Sequence, residues 1–275
     1  MIASSAPAPR LRFSLAPYIE FAKVAYAREA TYRFEVFTSI GSLLVRVYLF
    51  RMVWTALYLH NAGIRALSLE GAITYSTVAL LMSLVMDIDQ TRLLADKLDD
   101  GSIATDFMKP ISVPLYFLSD GTGEVLFHAT LILPSLALAL FIVHIQVPDP
   151  TALLFFFISF FLGYVVGLLM NFILNCIAFW TLEIHAVQLI VTWITDLLGG
   201  EIIPLVFFPG AVQGFIFLLP FAAMYSTPLL IYVGTIGPDE YARALGVQLI
   251  WIAIFAVISV FMWRAGAKRV VVQGG

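Results

Sequence analysis

The sequence predicts an all-α polytopic membrane protein with six transmembrane helices, an N-terminal interfacial helix and an external re-entrant helical hairpin before the last span. Three observations predict it. Apolar residues make up 61% of the chain and charged residues 12%, against roughly 45–50% and about 25% in a soluble domain. The apolar residues fall into runs near the length a bilayer demands, about 20 residues at about 1.5 Å each for a hydrocarbon core of about 30 Å. Lys and Arg crowd the connections on one side. With a mean hydropathy of +0.96, residues 1–275 read as one membrane domain, with no soluble part large enough to be an enzyme on its own.

The elements follow in order. Pro7, Pro9, Arg10 and Arg12 open the chain with no apolar core directly after them, unlike a cleaved signal peptide, so the first long run is expected to be retained. Over residues 17–34, apolar Ile19, Ala22, Tyr26, Ala30 and Phe34 recur at helical spacing. Glu20, Lys23, Arg28, Glu29 and Arg33 occupy much of the rest, a pattern suited to a helix lying in the interface with one side in lipid. The expected spans are Val36–Leu59, Leu69–Met86, Phe117–Val143, Leu153–Ile177, Ala186–Leu198 and Leu245–Trp263. The fifth is short and runs into Gly199-Gly200-Glu201. Residues 201–220 are apolar but broken by Pro204, Pro209, Gly210 and Pro220. They read as a hairpin of two helical arms meeting at Phe208-Pro209-Gly210, with Glu201 at the N-terminal entrance of the first arm.

Orientation follows from the cations. Arg10, Arg12, Lys23, Arg28, Arg33, Arg92, Lys97, Lys109, Arg264, Lys268 and Arg269 fall on one side, and only Arg65 and Arg243 on the other. Both termini are therefore expected in the cytoplasm, with Arg65, Pro148 and Asp239 outside.

Ionisable residues inside spans are costly and point to function. Arg46 and Arg51 lie in the first span, roughly 140° apart around the helix. Asp120 and Glu124 share a face at the start of the third, and Asp196 and Glu201 stand near the outer end of the fifth. They read either as buried ion pairs or interface-reaching groups, or as part of a substrate or proton path.

The longest polar stretch is 87–112. It has an apolar side of Leu93, Leu94, Leu98, Ile103 and Phe107, and an acidic one of Asp87, Asp89, Asp96, Asp99, Asp100 and Asp106. It suits either a solvated loop or the docking of a cytoplasmic partner. Its carboxylate spacing matches no magnesium-holding phosphotransferase signature.

Other chemistries find no support. The lone Cys176 cannot form an internal disulfide, and His60, His128, His144 and His185 are scattered. There is no P-loop and no nucleophile elbow, and Gly121-Thr122-Gly123 lacks the third glycine of a dinucleotide site. No basic stripe suits nucleic acid.

Lys97-Leu98-Asp99-Asp100-Gly101-Ser102-Ile103, followed by Phe107-Met108-Lys109-Pro110-Ile111-Ser112, resembles the cytoplasmic loop of a branch of bacterial type-2 ABC exporter permeases. Glu29-Ala30-Thr31-Tyr32-Arg33 before the first span is similar to the same branch, and the order of elements matches over nearly the whole chain. Lys109 stands where arginine is commoner, and Thr105-Asp106 is more polar than the pattern. The resemblance implies a transport subunit of a bacterial inner membrane that binds no cofactor itself. It implies two separate ABC ATPase subunits carrying ATP and magnesium, and a second permease chain, the same or different. The loop would supply a coupling helix. Asp96, Asp99 and Asp100 would meet a basic rim, Gly101 would form the turn, and Leu98, Ile103 and Phe107 would enter a groove. The 17–34 helix would also touch the ATPase, and the hairpin would cap the path. The bulky apolar spans lean toward an amphipathic or lipid-like cargo. An ion-coupled secondary transporter, or a membrane-embedded lipid enzyme, is the alternative. The first would show internal repeats and interrupted mid-membrane helices, the second a His or Asp cluster at one membrane face.

Overall fold

The computed structural model describes residues 15–31, 33–60, 66–86, 93–181 and 184–273. Among them the regular structure is entirely helical: α1 (Ala16–Thr31), α2 (Arg33–His60), α3 (Leu69–Met86), α4 (Leu93–Asp99), α5 (Ile103–Phe107) and α6 (Val113–Ala139). There follow α7 (Pro150–Cys176), α8 (His185–Leu198), α9 (Gly210–Ile216), α10 (Pro220–Met224), α11 (Ser226–Tyr232) and α12 (Pro238–Gln273). Arg10, Arg12, Arg65, Asp87, Asp89 and Arg92 lie outside the described residues.

Helix starts follow local chemistry. α6, α7 and α10 each open with proline in the first turn, where its missing N–H costs nothing. α3 is apolar and small-residue-rich all round and is buried on nearly all sides, as expected of a helix with no polar face.

Among the described residues, five helices are long and apolar enough to cross a membrane: Val36–His60, Leu69–Met86, Val113–Ala139, Pro150–Phe179 and Pro238–Arg269. The expected fifth span, α8, has 14 residues, roughly 21 Å at 1.5 Å each, and falls short of a full crossing. Its backbone ends at Gly199-Gly200, where Gly200 takes φ +84°, a region that excludes most side chains.

Two pairings set the topology. Phe155 meets Tyr241, Ser159 meets Gln248, and Phe172 meets Trp263, so α7 and α12 run in the same direction. The chain between them must climb back, and it does so in two stages. α8 is the first. α10 and α11 are the second, antiparallel to the first half of α7: Gly163 lies against Met224, and Phe156 against Tyr232. A side chain on Gly163 would place its Cβ 2.6 Å from the Met224 carbonyl oxygen. Gly163 and Gly167 thus form a small-residue seam of the kind that lets membrane helices touch backbone to backbone. Gln248, fully buried, donates to the carbonyls of Ser159 and Ala223 and ties α7, α10 and α12 together.

This arrangement corrects the expected hairpin. Leu205–Phe207 is a single 3-10 turn rather than a helical arm. A break does fall at Phe208-Pro209, before α9. The second reversal, at Leu218-Leu219, leads into α10 and α11, a buried returning arm that the sequence reading did not anticipate. Glu201 is not at a helix entrance: its N–H donates to the Asp196 carbonyl at the end of α8.

Candidate functional site

The charged residues of the spans sort into three destinations. Arg51 donates to the Ile142 carbonyl, 2.6 Å away, just past the end of α6. Such a contact satisfies a terminal carbonyl and suits the negative helix end. Asp120, 4% exposed, accepts two hydrogen bonds from the Arg28 guanidinium, at 3.3 and 3.0 Å. The Asp120 carboxylate raises the Arg28 pKa above its ordinary value. Glu124 is buried one turn further along α6.

Arg46, Asp196 and Glu201 converge on one cleft of about 320 Å³ between α2, α3, α6 and α8. Hydroxyls of Ser39, Ser42, Ser83, Thr192 and Thr195 add to its polar lining, and His128 stands on the α6 wall. α2 and α8 each contribute three polar residues to this wall, and α8 is strongly amphipathic. Thr192, Thr195 and Asp196 face the cleft, while Ile190, Trp193 and Leu197 are exposed on the other side. Tyr225 and Glu201 line the cleft near mid-bundle, and Met86, at the end of α3, lines it as well. Next to Glu201, Tyr75 donates to the Gly200 carbonyl, and Leu205 is fully buried.

The described part of the α3–α6 connection packs against α7, the turn after it and α12. Asp100 accepts the Ser102 N–H, and Gly101 takes φ +75°, so Asp100-Gly101-Ser102 forms the tight turn between α4 and α5. Asp106 is fully buried and accepts from Lys97 and Lys109, each at 2.5 Å. Burial opposes its ionisation, but the two ammonium groups outweigh it and hold the carboxyl below the ordinary Asp value. Burial likewise pulls Lys97 down, and the hydrogen bonds and charges of Asp106 and Tyr116 together outweigh it and raise the amine. Lys97 also sits over the Tyr116 ring.

The apolar side of this element faces the bundle. Leu94 and Ile103 are buried, at 2% and 3% exposure, in one cluster with Phe117 and Cys176; Leu98 and Phe107 pack against that cluster, and Phe107 stacks on Trp263. Ile103, expected to enter a partner's groove, is buried against the chain's own bundle and anchors the element there. Asp96, Asp100, Gly101, Ala104 and Thr105 are exposed, and so is Met108, at 81%. The Asp99 side chain lies outside those described. The role of Asp106 was not singled out from sequence; its spacing three before Lys109 was the available signal.

α1 is docked rather than free. Ala22 abuts Gly123, where no side chain would fit, and Phe21 meets Tyr116 edge-on. Tyr18 accepts the Ser112 N–H. Ile19 and Val24 remain exposed. Gly123 thus serves helix packing. No group of three or more metal-ligating side chains occurs among the described residues.

A helical bundle with five helices long and apolar enough to cross a membrane, and a polar cleft among them, is the architecture of a membrane-embedded protein. The family model for ABC-2 family transporter proteins matches residues 44–274. The chain belongs to the ABC-2 transporter family, as a permease subunit. No curated protein matches it.

Proposed function

We propose that the chain is the membrane-spanning subunit of an ATP-driven exporter that moves an amphipathic or lipid-like cargo out of the cytoplasm. ATP and magnesium are held by two separate ABC ATPase subunits, and a second permease chain, the same or different, completes the pathway. In this reading α8 and the α10–α11 arm together complete the sixth crossing. Both termini then lie in the cytoplasm of a bacterial inner membrane, α1 lies at the interface beside the ATPase, and residues 201–220 form an external lid. The single observation that supports the reading is the cleft itself, polar and set among helices long and apolar enough to cross a membrane. A polar cavity between spans suits the passage of a cargo's polar part. The exposed apolar faces of α8 and α2 offer a surface for the cargo's apolar part.

The ATPase contact is the exposed rim of α4–α5, with Asp96, Asp100, Ala104 and Met108 on its surface, while Leu98, Ile103 and Phe107 hold that rim in place. Affinity purification of the tagged chain from its native membrane tests this. A P-loop ATPase is expected to copurify, and Ala104→Asp with Met108→Asp is expected to reduce the yield at least tenfold while the chain stays inserted. Undiminished copurification from that double variant overturns the assignment of the rim, and absence of any ATPase with the unaltered chain overturns the exporter reading.

A further inference from the structure

We propose that a second groove, between α9, α11 and the start of α12, holds a phospholipid of the outer leaflet, with its phosphate at Arg243 and the upper part of a chain on the groove's apolar floor. Its placement on the outer side rests on the topology proposed above. The groove has a volume of about 340 Å³, at the lower end of ligand pockets, about 300–1,000 Å³. That suits a headgroup and part of one chain. The lining is divided along its length. Thr235, Glu240 and Arg243 line it where α12 begins, and Phe217, Leu218, Leu230 and Val247 line the rest. Trp251 donates to the Leu218 carbonyl and lies roughly 12 Å beyond Arg243 along α12, so the apolar part runs down that helix. The division falls at the membrane boundary. About 20 residues cross the hydrocarbon core, and counted back from Arg264, where the cationic end of α12 begins, they reach Ala244. Glu240 and Arg243 then stand at headgroup level, and Val247 within the hydrocarbon.

Charge selects the occupant. Arg243 is the one cation of the described lining. Among the described residues, neither its guanidinium nor the Glu240 carboxylate forms an ion pair or a side-chain hydrogen bond, and both side chains are exposed, within reach of a headgroup. A guanidinium fork fits a phosphate. Glu240 stands three residues before Arg243 on the same side of the helix, where it repels a second anion and welcomes an ammonium. Phosphatidylethanolamine meets both demands and phosphatidylglycerol only the first. The floor supplies the remaining contact: Leu218 is 59% exposed, apolar surface that an acyl chain covers.

Native mass spectrometry of the purified full chain tests this. The probes are phosphatidylethanolamine, phosphatidylglycerol and diacylglycerol with the same chains, and glycerophosphoethanolamine, which has none. Phosphatidylethanolamine is expected to bind at least tenfold more tightly than diacylglycerol or glycerophosphoethanolamine, and more tightly than phosphatidylglycerol. Arg243→Gln should lower it to the diacylglycerol level, and Glu240→Gln should narrow the gap to phosphatidylglycerol. Gly214 lines the groove, and a Cβ added there meets nothing within 4 Å. Gly214→Trp should therefore fill the groove without disturbing the packing and weaken the lipid about tenfold. Diacylglycerol bound as tightly as the phospholipid would mean ordinary lipid contact only. That result, no binding of any probe, or parental affinity in both Arg243→Gln and Gly214→Trp overturns the proposal. So does a Gly214→Trp chain that loses association with a second permease chain while its lipid binding is unchanged, which would assign the groove to that partner. ATPase copurification and thiol labelling read the exporter assignment and the topology separately, so loss of the lipid site leaves both standing.

Discussion

Asp106 holds the α4–α5 element to the bundle, and its chemistry sets a pH window. Its carboxyl is lowered, so its stabilisation is complete above the ordinary Asp range and is lost as pH falls through the lowered value. Lys97 is raised, so its share is complete below the ordinary Lys value and is lost only as pH rises through the raised one. The clamp therefore holds throughout neutral pH. Asp106→Asn leaves two ammonium groups without their anion. The expected local cost is on the order of 2 kcal/mol, less than the about 3–5 kcal/mol of a fully buried pair because both amines reach water. Hydrogen exchange over 93–109 should show protection that falls only below the ordinary Asp range in the parent. The variant should start less protected and lose that acid step; an unaltered acid step would rule the clamp out. Gly163 is a second decisive residue. Gly163→Ala drives a Cβ into the Met224 carbonyl and should lower thermal stability in detergent by roughly 1–3 kcal/mol, the usual cost of overpacking. Gly210→Ala, with nothing within 4 Å of the added atom, should change little. Equal effects of the two would show that the seam is not tightly packed.

Among the elements, the amphipathic connection shows how pattern can be read correctly and its direction missed. The apolar side of 93–107 was visible in sequence at helical spacing. Whether that side met a partner or the chain's own bundle was not, because both offer apolar surface and periodicity records only that a face is covered. Phe117, Phe172, Cys176 and Trp263, from three distant helices, supply the covering. α1 behaved similarly. Its mixed surface suggested lipid on one side, yet Arg28 reaches Asp120, ninety-two residues away, and Ala22 settles on Gly123. An ion pair between elements so distant leaves no local trace in either. Arg28→Ala is expected to leave Asp120 buried and uncompensated and to expose residues 16–31 to limited proteolysis. Resistance equal to that of the parent would show that the Gly123 contact suffices to hold α1.

At the scale of the whole molecule, the parallel course of α7 and α12 requires the chain between them to run back along the bundle, as the α10–α11 arm does beside the first half of α7; the proposed topology counts this return as a crossing. Combined with the Lys/Arg asymmetry, this leads to a topology that labelling can test. Asp149→Cys and Asp100→Cys place single thiols at exposed positions, with Cys176 buried. An impermeant reagent applied outside intact cells should modify the first and not the second; the reverse pattern would invert the protein in the membrane. α12, 36 residues long and therefore about 54 Å, outlasts a hydrocarbon core of about 30 Å, and its end carries Arg264, Lys268 and Arg269.

Composition and run length alone determined that this is a helical membrane protein, because a bilayer sets a length and an apolar content that few other environments require. They located four long spans and the short α8 to within a few residues, and the last run within the much longer α12. Motif order and the Lys97–Ser112 segment pointed to the transporter family. What only the tertiary structure decided was which charged residues meet. Arg46 and Asp196 are separated by 150 positions, and Arg51 and Ile142 by 91. Their convergence depends on how helices pack, not on any local preference. The returning arm Pro220–Tyr232 was equally hidden. Its small residues and prolines, Ala222, Ala223, Ser226 and Pro228, look like a broken loop by propensity. They become a buried helical pair because Gly163 on α7 lets their backbone approach closely, and Gly167 makes room for the Met224 side chain.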